Sequence, residues 1–348
     1  MSEFTHDIPT EPTPRWPVLG HEPIVAELAR SLRTGHVHHA YLFAGPAGIG
    51  RTTLAYAFAA ALLCEAPVEA RPCGQCRACQ RVARRVHPDV TRVSLEQERE
   101  DAKLVSIDRI RELRANLSLR PLEGAWRVAI VDDAERLSRD AADALLKTLE
   151  EPPPYAVLVL IAEDANAVPE TIRSRCRTYQ LRPLPPAVVE AALVARGASP
   201  DRAARLAKLA RGRIAEALRL AEDADALDRY ERQVAEVVAA MSEPLAAIGF
   251  ARRATDRYRR GQRVAVQQLL RLAAELWRDA VWLAADPAAS IVHEEARGAL
   301  LELARRRGLA GTVAGLAATL QCLADLEANV QARLALDAVA VVWTETAG

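Results

Sequence analysis

Two patterns of apolar residues divide the chain. Between Val18 and Arg182, short runs that are mainly apolar alternate with longer stretches rich in Ala and Leu. The runs at 40–45, 127–133 and 156–163 have the length and the β-branched content of strands that are buried on both faces. Such strands, alternating with helical stretches, predict an α/β fold in which helices cover both faces of a parallel sheet.

The pattern beyond Arg182 is helical. Prolines at 183, 185 and 186 interrupt the chain, and only Pro244 and Pro287 occur after Pro200. Because proline is excluded from helix interiors, the C-terminal part can be helical almost throughout. The patterns predict four segments, namely a disordered tail at 1–16, an α/β domain at 17–182, a small helical module at 183–224 and an all-helical domain at 225–348.

Composition narrows the class of protein. Half of the 348 residues are hydrophobic but only 4% are aromatic, so the core must be aliphatic, and a disordered chain or a β-sandwich is disfavoured. Lys and Arg total 46, as do Asp and Glu, so any contact with nucleic acid needs a local basic patch. Two groups of arginines are candidates, with a solvated helix face as the alternative: Arg77, Arg81 and Arg84, and Arg252, Arg253, Arg257, Arg259, Arg260 and Arg263.

The sequence also indicates a compartment. No apolar run approaches the length of about 18 residues that crosses a bilayer, and the N-terminus is acidic and rich in proline where a signal peptide would be basic and then apolar. We therefore expect a cytoplasmic chain without a membrane partner. Thiols stay reduced in that compartment, so the six cysteines are expected to be metal ligands or buried small residues.

A glycine-rich segment follows the first predicted strand. Residues 45–52, GPAGIGRT, fit the phosphate-loop pattern G-x-x-x-x-G-K-[ST] except that Arg51 replaces the lysine. The planar fork of arginine is larger than the compact ammonium of lysine, so this exchange is not conservative. A glycine-rich turn that only caps a buried helix is the alternative. The residues predicted to bind a nucleotide and its magnesium ion are Gly45, Gly48, Gly50, Arg51, Thr52, Thr53 and Asp132.

Two carboxylates follow the second predicted strand. Asp132 stands where P-loop enzymes place the aspartate that holds magnesium. Asp133 stands where hydrolysing members of one superclass place a glutamate that orients water, but its side chain is one methylene shorter. A purely structural pair of carboxylates at a strand end is the alternative.

Four cysteines are clustered in sequence. Cys64, Cys73, Cys76 and Cys79 stand at spacings x8, x2 and x2. Four thiolates in a reduced compartment suit tetrahedral zinc. An iron–sulfur cluster is the rival, since C-x2-C-x2-C opens a ferredoxin motif, but the continuation x3-Cys-Pro is absent after Cys79.

The order of these motifs resembles that of bacterial replicative clamp-loader subunits of the AAA+ class. The resemblance rests on VLGHEPIVAELARSLRTGHVHHAYLFAGPAGIG at 18–50, on the cysteine insertion, on DALLKTLEEPP at 143–153 and on SRC at 174–176. It implies a P-loop AAA+ domain with a zinc module at 64–79, followed by a helical lid and then by an all-α collar domain through which such subunits assemble.

Four departures from the hydrolysing gamma/tau type resemble the delta-prime family of these subunits. They are Arg51 for the P-loop lysine, Asp133 for the glutamate, Ala162–Glu163 for polar threonines after the sensor strand, and Ala215, two residues from Arg213, for the lid arginine. The resemblance implies a component of the DNA polymerase III holoenzyme with no polymerase site of its own. Such a subunit binds ATP and magnesium weakly or not at all and does not hydrolyse ATP.

The resemblance also implies partners and one catalytic residue. Arg175 of the SRC motif would act in trans as an arginine finger on the ATP of a neighbouring gamma/tau subunit, with a structural ion pair as the alternative. The chain would join gamma/tau and delta subunits in a five-membered ring that loads the sliding clamp on primed DNA.

Two other functions stay open. In one, the chain is a hydrolysing clamp-loader subunit in which Arg51 still supports turnover, and ATP hydrolysis by the isolated chain would favour it. In the other, it is a stand-alone zinc-bearing module that binds nucleic acid, and tight DNA binding without partners would favour that.

Overall fold

The computed structural model of the protein describes residues 16–98, 103–223, 225–328 and 330–344. The predicted tail at 1–16 lies outside these ranges except for Trp16, which is buried and stacks on Phe58 with ring centroids 6.2 Å apart. The chain divides into two compact units, with the boundary between Arg219 and Leu220.

The N-terminal unit is built on a parallel five-stranded sheet. Its strand order is β2-β3-β4-β1-β5, so β1 and β3 both pair with β4. The three central strands are those predicted from the apolar runs, whereas both edge strands contain an arginine and a threonine. The strands are β1 (Ala40–Ala44), β2 (Val90–Val93), β3 (Arg127–Val131), β4 (Ala156–Ala162) and β5 (Arg177–Gln180).

Helices cover both faces of this sheet. Alternate residues of β1 show why the strand is apolar throughout, since Tyr41 and Phe43 enter one core and Ala40 and Leu42 enter the other. The helices are α1 (Glu22–Arg33), α2 (Arg51–Leu63), α3 (Arg77–Ala83), α4 (Ile107–Ser118), α5 (Arg139–Glu150) and α6 (Glu170–Arg173). The predicted α/β class is confirmed.

Short helices follow the sheet at the positions predicted for the lid. They are α7 (Pro186–Val194), α8 (Pro200–Ala210) and α9 (Ile214–Glu222). The unit boundary falls within α9. The assignment of 183–224 as a separate lid stays a prediction.

Helices make up most of the described residues of the C-terminal unit and none of these residues lies in a strand, as the proline distribution predicts. Its core includes Trp277 and Trp343, both fully buried, and a Cβ atom added at Gly315 would lie 2.7 Å from the Trp277 ring. Close packing of the helix that carries Trp277 against the helix that carries Gly315 therefore requires glycine at position 315. The helices are α10 (Ala226–Ser242), α11 (Pro244–Arg259), α12 (Arg263–Ala285), α13 (Arg297–Glu327) and α14 (Ala332–Thr344).

One helical stretch of this unit, Glu294–Glu327, is long and apolar enough to cross a membrane by length and composition alone. The expectation that no such stretch exists is therefore wrong in those terms. The core helix of a soluble protein passes the same test. Leu300, Thr319 and Leu326 are buried along this stretch, and 28% of its most apolar 18-residue window is buried.

Candidate functional site

The predicted phosphate loop connects β1 to α2 at the carboxyl edge of the sheet. Gly45, Gly48 and Gly50 all have positive φ angles, of 148°, 79° and 102°. At Gly45 a Cβ atom would lie 2.5 Å from the carbonyl oxygen of Leu181, so only glycine fits this position. The loop thus has backbone conformations that favour glycine, and ligands of parallel sheets bind at this edge.

The loop and the acidic strand end lie next to each other. The Thr52 hydroxyl donates to Asp132 Oδ2 at 3.4 Å. Arg51 is the first residue of α2 and is half-buried, and Thr53, two residues further on, is exposed. Thr52 and Asp132, the two residues expected to share a magnesium ion, therefore lie side by side.

Asp133 is directed elsewhere. Its backbone is left-handed, with φ 55°, and its Oδ2 accepts a hydrogen bond from the backbone N–H of Leu95 at 3.1 Å. The carboxylate thus fixes the chain that leaves β2. A side chain committed to this contact is poorly placed to orient a water molecule.

Arg92 of β2 lies beside Asp132, and sequence reasoning missed it. Its Nη2 donates to Asp132 Oδ2 at 2.9 Å and to Glu96 Oε2 at 3.3 Å. The side chains of Arg92 and Asp132 are only 19% and 14% exposed. A single arginine in a short polar strand gives no sequence signal of this pairing, because it joins residues 40 positions apart.

Residues from two other segments contact the loop. Ala162 ends β4, and its carbonyl oxygen accepts from the Gly45 N–H at 3.1 Å, so the sensor position contributes backbone only. The Ala215 N–H donates to the Gly48 carbonyl at 3.0 Å. A Cβ atom added at Gly48 would lie 3.5 Å from the Cβ of Arg213, so the Cβ of this arginine also lies beside the loop. Sequence reasoning placed only Ala215 at the lid position.

A second residue that sequence reasoning missed is His21. It precedes α1 with φ 62°, and its Nε2 lies 3.1 Å from the carbonyl oxygen of Ile49. A lone histidine before a helix carries no pattern that would have marked it.

The four clustered cysteines come together in space. Their Sγ atoms all lie within 4.8 Å of one another, and Cys76 Sγ is 3.9 Å from Cys64 Sγ. Tetrahedral zinc with Zn–S bonds of about 2.3 Å separates its sulfurs by about 3.8 Å. The residues Cys64, Cys73, Cys76 and Cys79 therefore fit a metal ion such as zinc.

Backbone donors prepare this site for thiolates. The N–H groups of Cys73, Cys76 and Cys79 donate to the Sγ atoms of Cys64, Cys73 and Cys76, at 3.4, 3.3 and 3.4 Å. Donation by the backbone of Cys76 and Gln75 lowers the pKa of the Cys73 thiol to about 6. Burial raises the pKa of the Cys79 thiol, so binding of a metal ion has to displace its proton.

Arg175 lies away from the phosphate loop. It follows α6 and precedes β5, whose register pairs Arg177 with Tyr41 near the start of β1. It is therefore at the amino edge of the sheet, whereas the loop is at the carboxyl edge. The Arg175 guanidinium is 37% exposed and donates to Glu150 Oε1 and to the Thr171 carbonyl, each at 2.8 Å.

The arginine groups noted in the sequence are partly neutralised. Arg81 pairs with Glu123, its Nη1 lying 2.7 Å from Oε2, and Arg253 pairs with Glu236 at 2.8 Å. These pairs reduce the positive charge that the two groups offer to a phosphate backbone.

In the parallel sheet, β4 separates the phosphate-loop strand β1 from the acidic strand β3, which is the strand arrangement expected for the AAA+ class. A family model described as DNA polymerase III, delta subunit, matches residues 20–185. The DNA polymerase III subunit tau/gamma of Haemophilus influenzae is 36% identical over 223 residues, which are 62% of this chain and 31% of that protein. The DNA polymerase III subunit tau of Escherichia coli is 36% identical over 167 residues, 48% of this chain and 25% of that protein.

These matches relate the chain to the gamma/tau subunits of DNA polymerase III. The matched part spans about a third or less of the length of these two relatives. Among solved structures, a DNA polymerase III gamma subunit-related protein of Thermotoga maritima is 16% identical, with 91% of this chain and 98% of that chain covered at a TM-score of 0.42.

Proposed function

We propose that the chain is a delta-prime-type clamp-loader subunit that does not hydrolyse ATP and serves the nucleotide site of a neighbouring gamma/tau subunit. Its partners are gamma/tau and delta subunits in a five-membered ring in the cytoplasm. That ring loads the sliding clamp on primed DNA. The relation to gamma/tau subunits supports the setting, and the arrangement of the two sheet edges supports the role.

The carboxyl edge lacks the groups that hydrolysis requires. Arg51 replaces the compact ammonium, and the carboxylate of Asp133 is held by the N–H of Leu95. Ala162 has no polar side chain to sense a γ-phosphate. Removing a single group that stabilises transition-state charge typically costs two to three orders of magnitude in rate, so these losses together support the absence of turnover.

The observation that carries the proposal is the position of Arg175. In a parallel sheet with a rise of about 3.3 Å per residue, the four-residue strand β5 and the turn beyond it separate this arginine from its own phosphate loop. Its guanidinium is exposed at the amino edge. An arginine finger at this place is therefore available only to the site of another subunit.

The zinc module has a structural role in this proposal. A metal ion held by the four cysteines would tie the chain after α2 to the start of α3, and its four protein ligands leave no open position for catalysis. The module lies within the N-terminal unit, so its loss would affect folding of that unit.

The proposal is tested by co-purification and steady-state ATPase measurements. The full chain is mixed with a gamma/tau-type subunit and a delta subunit, and complexes are isolated by size-exclusion chromatography. We expect no measurable ATP turnover by the chain alone, and an increase in turnover per gamma/tau subunit when it joins the complex. Turnover by the isolated chain, or its failure to join the complex, would refute the proposal.

A further inference from the structure

One carboxylate oxygen at the phosphate loop receives two donors. Asp132 Oδ2 accepts from the Thr52 hydroxyl at 3.4 Å and from Arg92 Nη2 at 2.9 Å. In P-loop proteins a serine or threonine hydroxyl and a strand-end aspartate hold the magnesium ion of the bound nucleotide between them. In this chain a guanidinium is bonded to the aspartate at that place.

The arginine is held there from several sides. Glu96 Oε2 lies 3.3 Å from both Nη atoms of Arg92, and the Asp132 carboxylate is itself fixed because its Oδ1 accepts from the Asp133 N–H at 3.2 Å. Asp132 and Arg92 lie on the neighbouring strand ends β3 and β2, so their pairing follows from the sheet register, in which Arg92 pairs with Ile130. An oriented, largely buried pair of this kind keeps its geometry better than an exposed one.

The positive charge of Arg92 disfavours the binding of a metal ion at Asp132. Arg92, which Asp132 shares with Glu96, offsets part of the negative charge of Asp132, so this carboxylate attracts a divalent cation less strongly. A magnesium ion placed between Thr52 and Asp132 would also lie within a few ångströms of the guanidinium, and like charges at that separation in a protein repel strongly. Mg²⁺ gives up its water shell reluctantly and needs an anionic ligand to hold it.

We propose that Arg92 is a built-in counter-ion that takes the place of the magnesium ion, so that the phosphate loop does not accept magnesium-bound nucleotide. The inference deepens the proposed non-hydrolysing role, on which it rests. It attributes the inability to bind magnesium to Arg92, a residue outside the phosphate-loop and strand-end motifs. The competing explanation is that Arg92 only ties the ends of β2 and β3 together.

The experiment uses the full chain with Arg51→Lys, which restores the usual phosphate-loop ammonium. Binding of a fluorescent ATP analogue is measured with excess Mg²⁺ and with EDTA. Two further variants combine Arg51→Lys with a second substitution. One adds Arg92→Thr, which removes the cation and suits a strand, and the other adds Arg92→Lys, which keeps a positive charge. Arg85→Asn is the control, since Arg85 lines the same cavity as Thr52, 5.1 Å from the centre of the Tyr56 ring, without a bond to Asp132, and asparagine tolerates the left-handed backbone of this position, with φ 61°.

We expect Arg51→Lys alone to bind the analogue no more tightly with Mg²⁺ than with EDTA. Adding Arg92→Thr should make binding about tenfold or more tighter with Mg²⁺ than with EDTA, a change of about 1.4 kcal/mol. Adding Arg92→Lys or Arg85→Asn should leave binding independent of Mg²⁺. Thermal unfolding of each variant establishes that it is folded.

Two results would overturn the inference. One is magnesium-dependent binding already present with Arg51→Lys alone. The other is binding that does not depend on Mg²⁺, or no binding at all, in the folded variant that carries both Arg51→Lys and Arg92→Thr. A variant with Arg92→Thr that unfolds while the one with Arg92→Lys binds like the background would assign Arg92 a structural role instead. The test uses no partner subunit, so its failure is distinguishable from failure of the proposed ring function.

Discussion

Asp279 shows at the scale of single residues how the C-terminal unit handles a buried charge. It is 1% exposed, and its Oδ2 accepts from the Nδ1 and the backbone N–H of His293 at 2.7 and 3.0 Å. Arg278 donates to its other oxygen at 3.0 Å, and Tyr230 Oη lies 2.9 Å from His293 Nε2. Burial alone would raise the pKa of Asp279, but the hydrogen bonds from His293 outweigh it and lower the pKa to about 2.

We predict that Asp279→Asn lowers the free energy of unfolding of the C-terminal unit by about 3 kcal/mol, because His293 and Arg278 lose a charged acceptor. An unfolded aspartate has a pKa of about 3.9, so between pH 4 and about 2 the unfolded chain binds a proton that the folded chain does not. The stabilisation by Asp279 is therefore present above about pH 4 and is lost as the pH falls toward 2.

Hydrogen exchange of α12 at several pH values measures this effect. Asp337→Asn, which removes an exposed carboxylate 3.5 Å from Arg333, is the matched control and should change protection by less than about 1 kcal/mol. Equal protection of α12 in the Asp279→Asn and Asp337→Asn variants would contradict the prediction.

At the scale of single residues, the sequence predicts the role of a residue when that role depends only on the local backbone conformation. The loop glycines are such residues, because a positive φ and a close backbone approach follow from the motif. Arg92 and Asp279 could not be predicted, since their partners are set by the register of the sheet in one case and by a loop that returns to α12 in the other.

The cysteine module is the clearest element for a test. We predict one zinc ion per chain in protein purified without chelator, because the four Sγ atoms already lie within reach of one ion. Cys76→Ser should abolish stoichiometric zinc and lower the melting temperature of the N-terminal unit. Cys322→Ser, which changes a buried cysteine of α13 outside the cluster, should keep the zinc. Iron with visible absorbance, or metal-free fresh protein, would contradict this prediction.

At the scale of secondary-structure elements, the sequence predicts the central strands of the sheet but not the edge strands. The three central strands are buried on both faces and read as continuous apolar runs, which the sequence reveals. The edge strands β2 and β5 are short and largely polar, because one side of each has no neighbouring strand. Their sequences, VTRV and RTYQ, contain β-branched or aromatic residues but are too short and too polar to form a recognisable apolar run, and they become strands by pairing with β3 and β1.

At the scale of the whole molecule, the two ends of the strands in the sheet carry different groups of charged residues. The carboxyl edge holds the phosphate loop, Asp132 and Arg92, and the amino edge holds Arg175 and Glu150. The SRC motif alone does not reveal this separation, which depends on the parallel direction of β5. In the proposed function, this separation is what prevents Arg175 from serving its own phosphate loop and leaves it available to a neighbouring subunit.

The most direct test compares Arg175→Ala with Glu150→Ala in rebuilt rings, with steady-state ATPase and clamp loading on primed DNA as readouts. The exposed ion pair of these residues contributes only about 0–1 kcal/mol to stability, so both variants should fold, bind zinc and assemble. If Arg175 reaches a neighbouring γ-phosphate, Arg175→Ala should abolish turnover at one site of the ring, a loss of about 10³-fold or more there, while Glu150→Ala stays close to the unchanged chain. Equal effects of the two variants, or full activity with Arg175→Ala, would contradict the account.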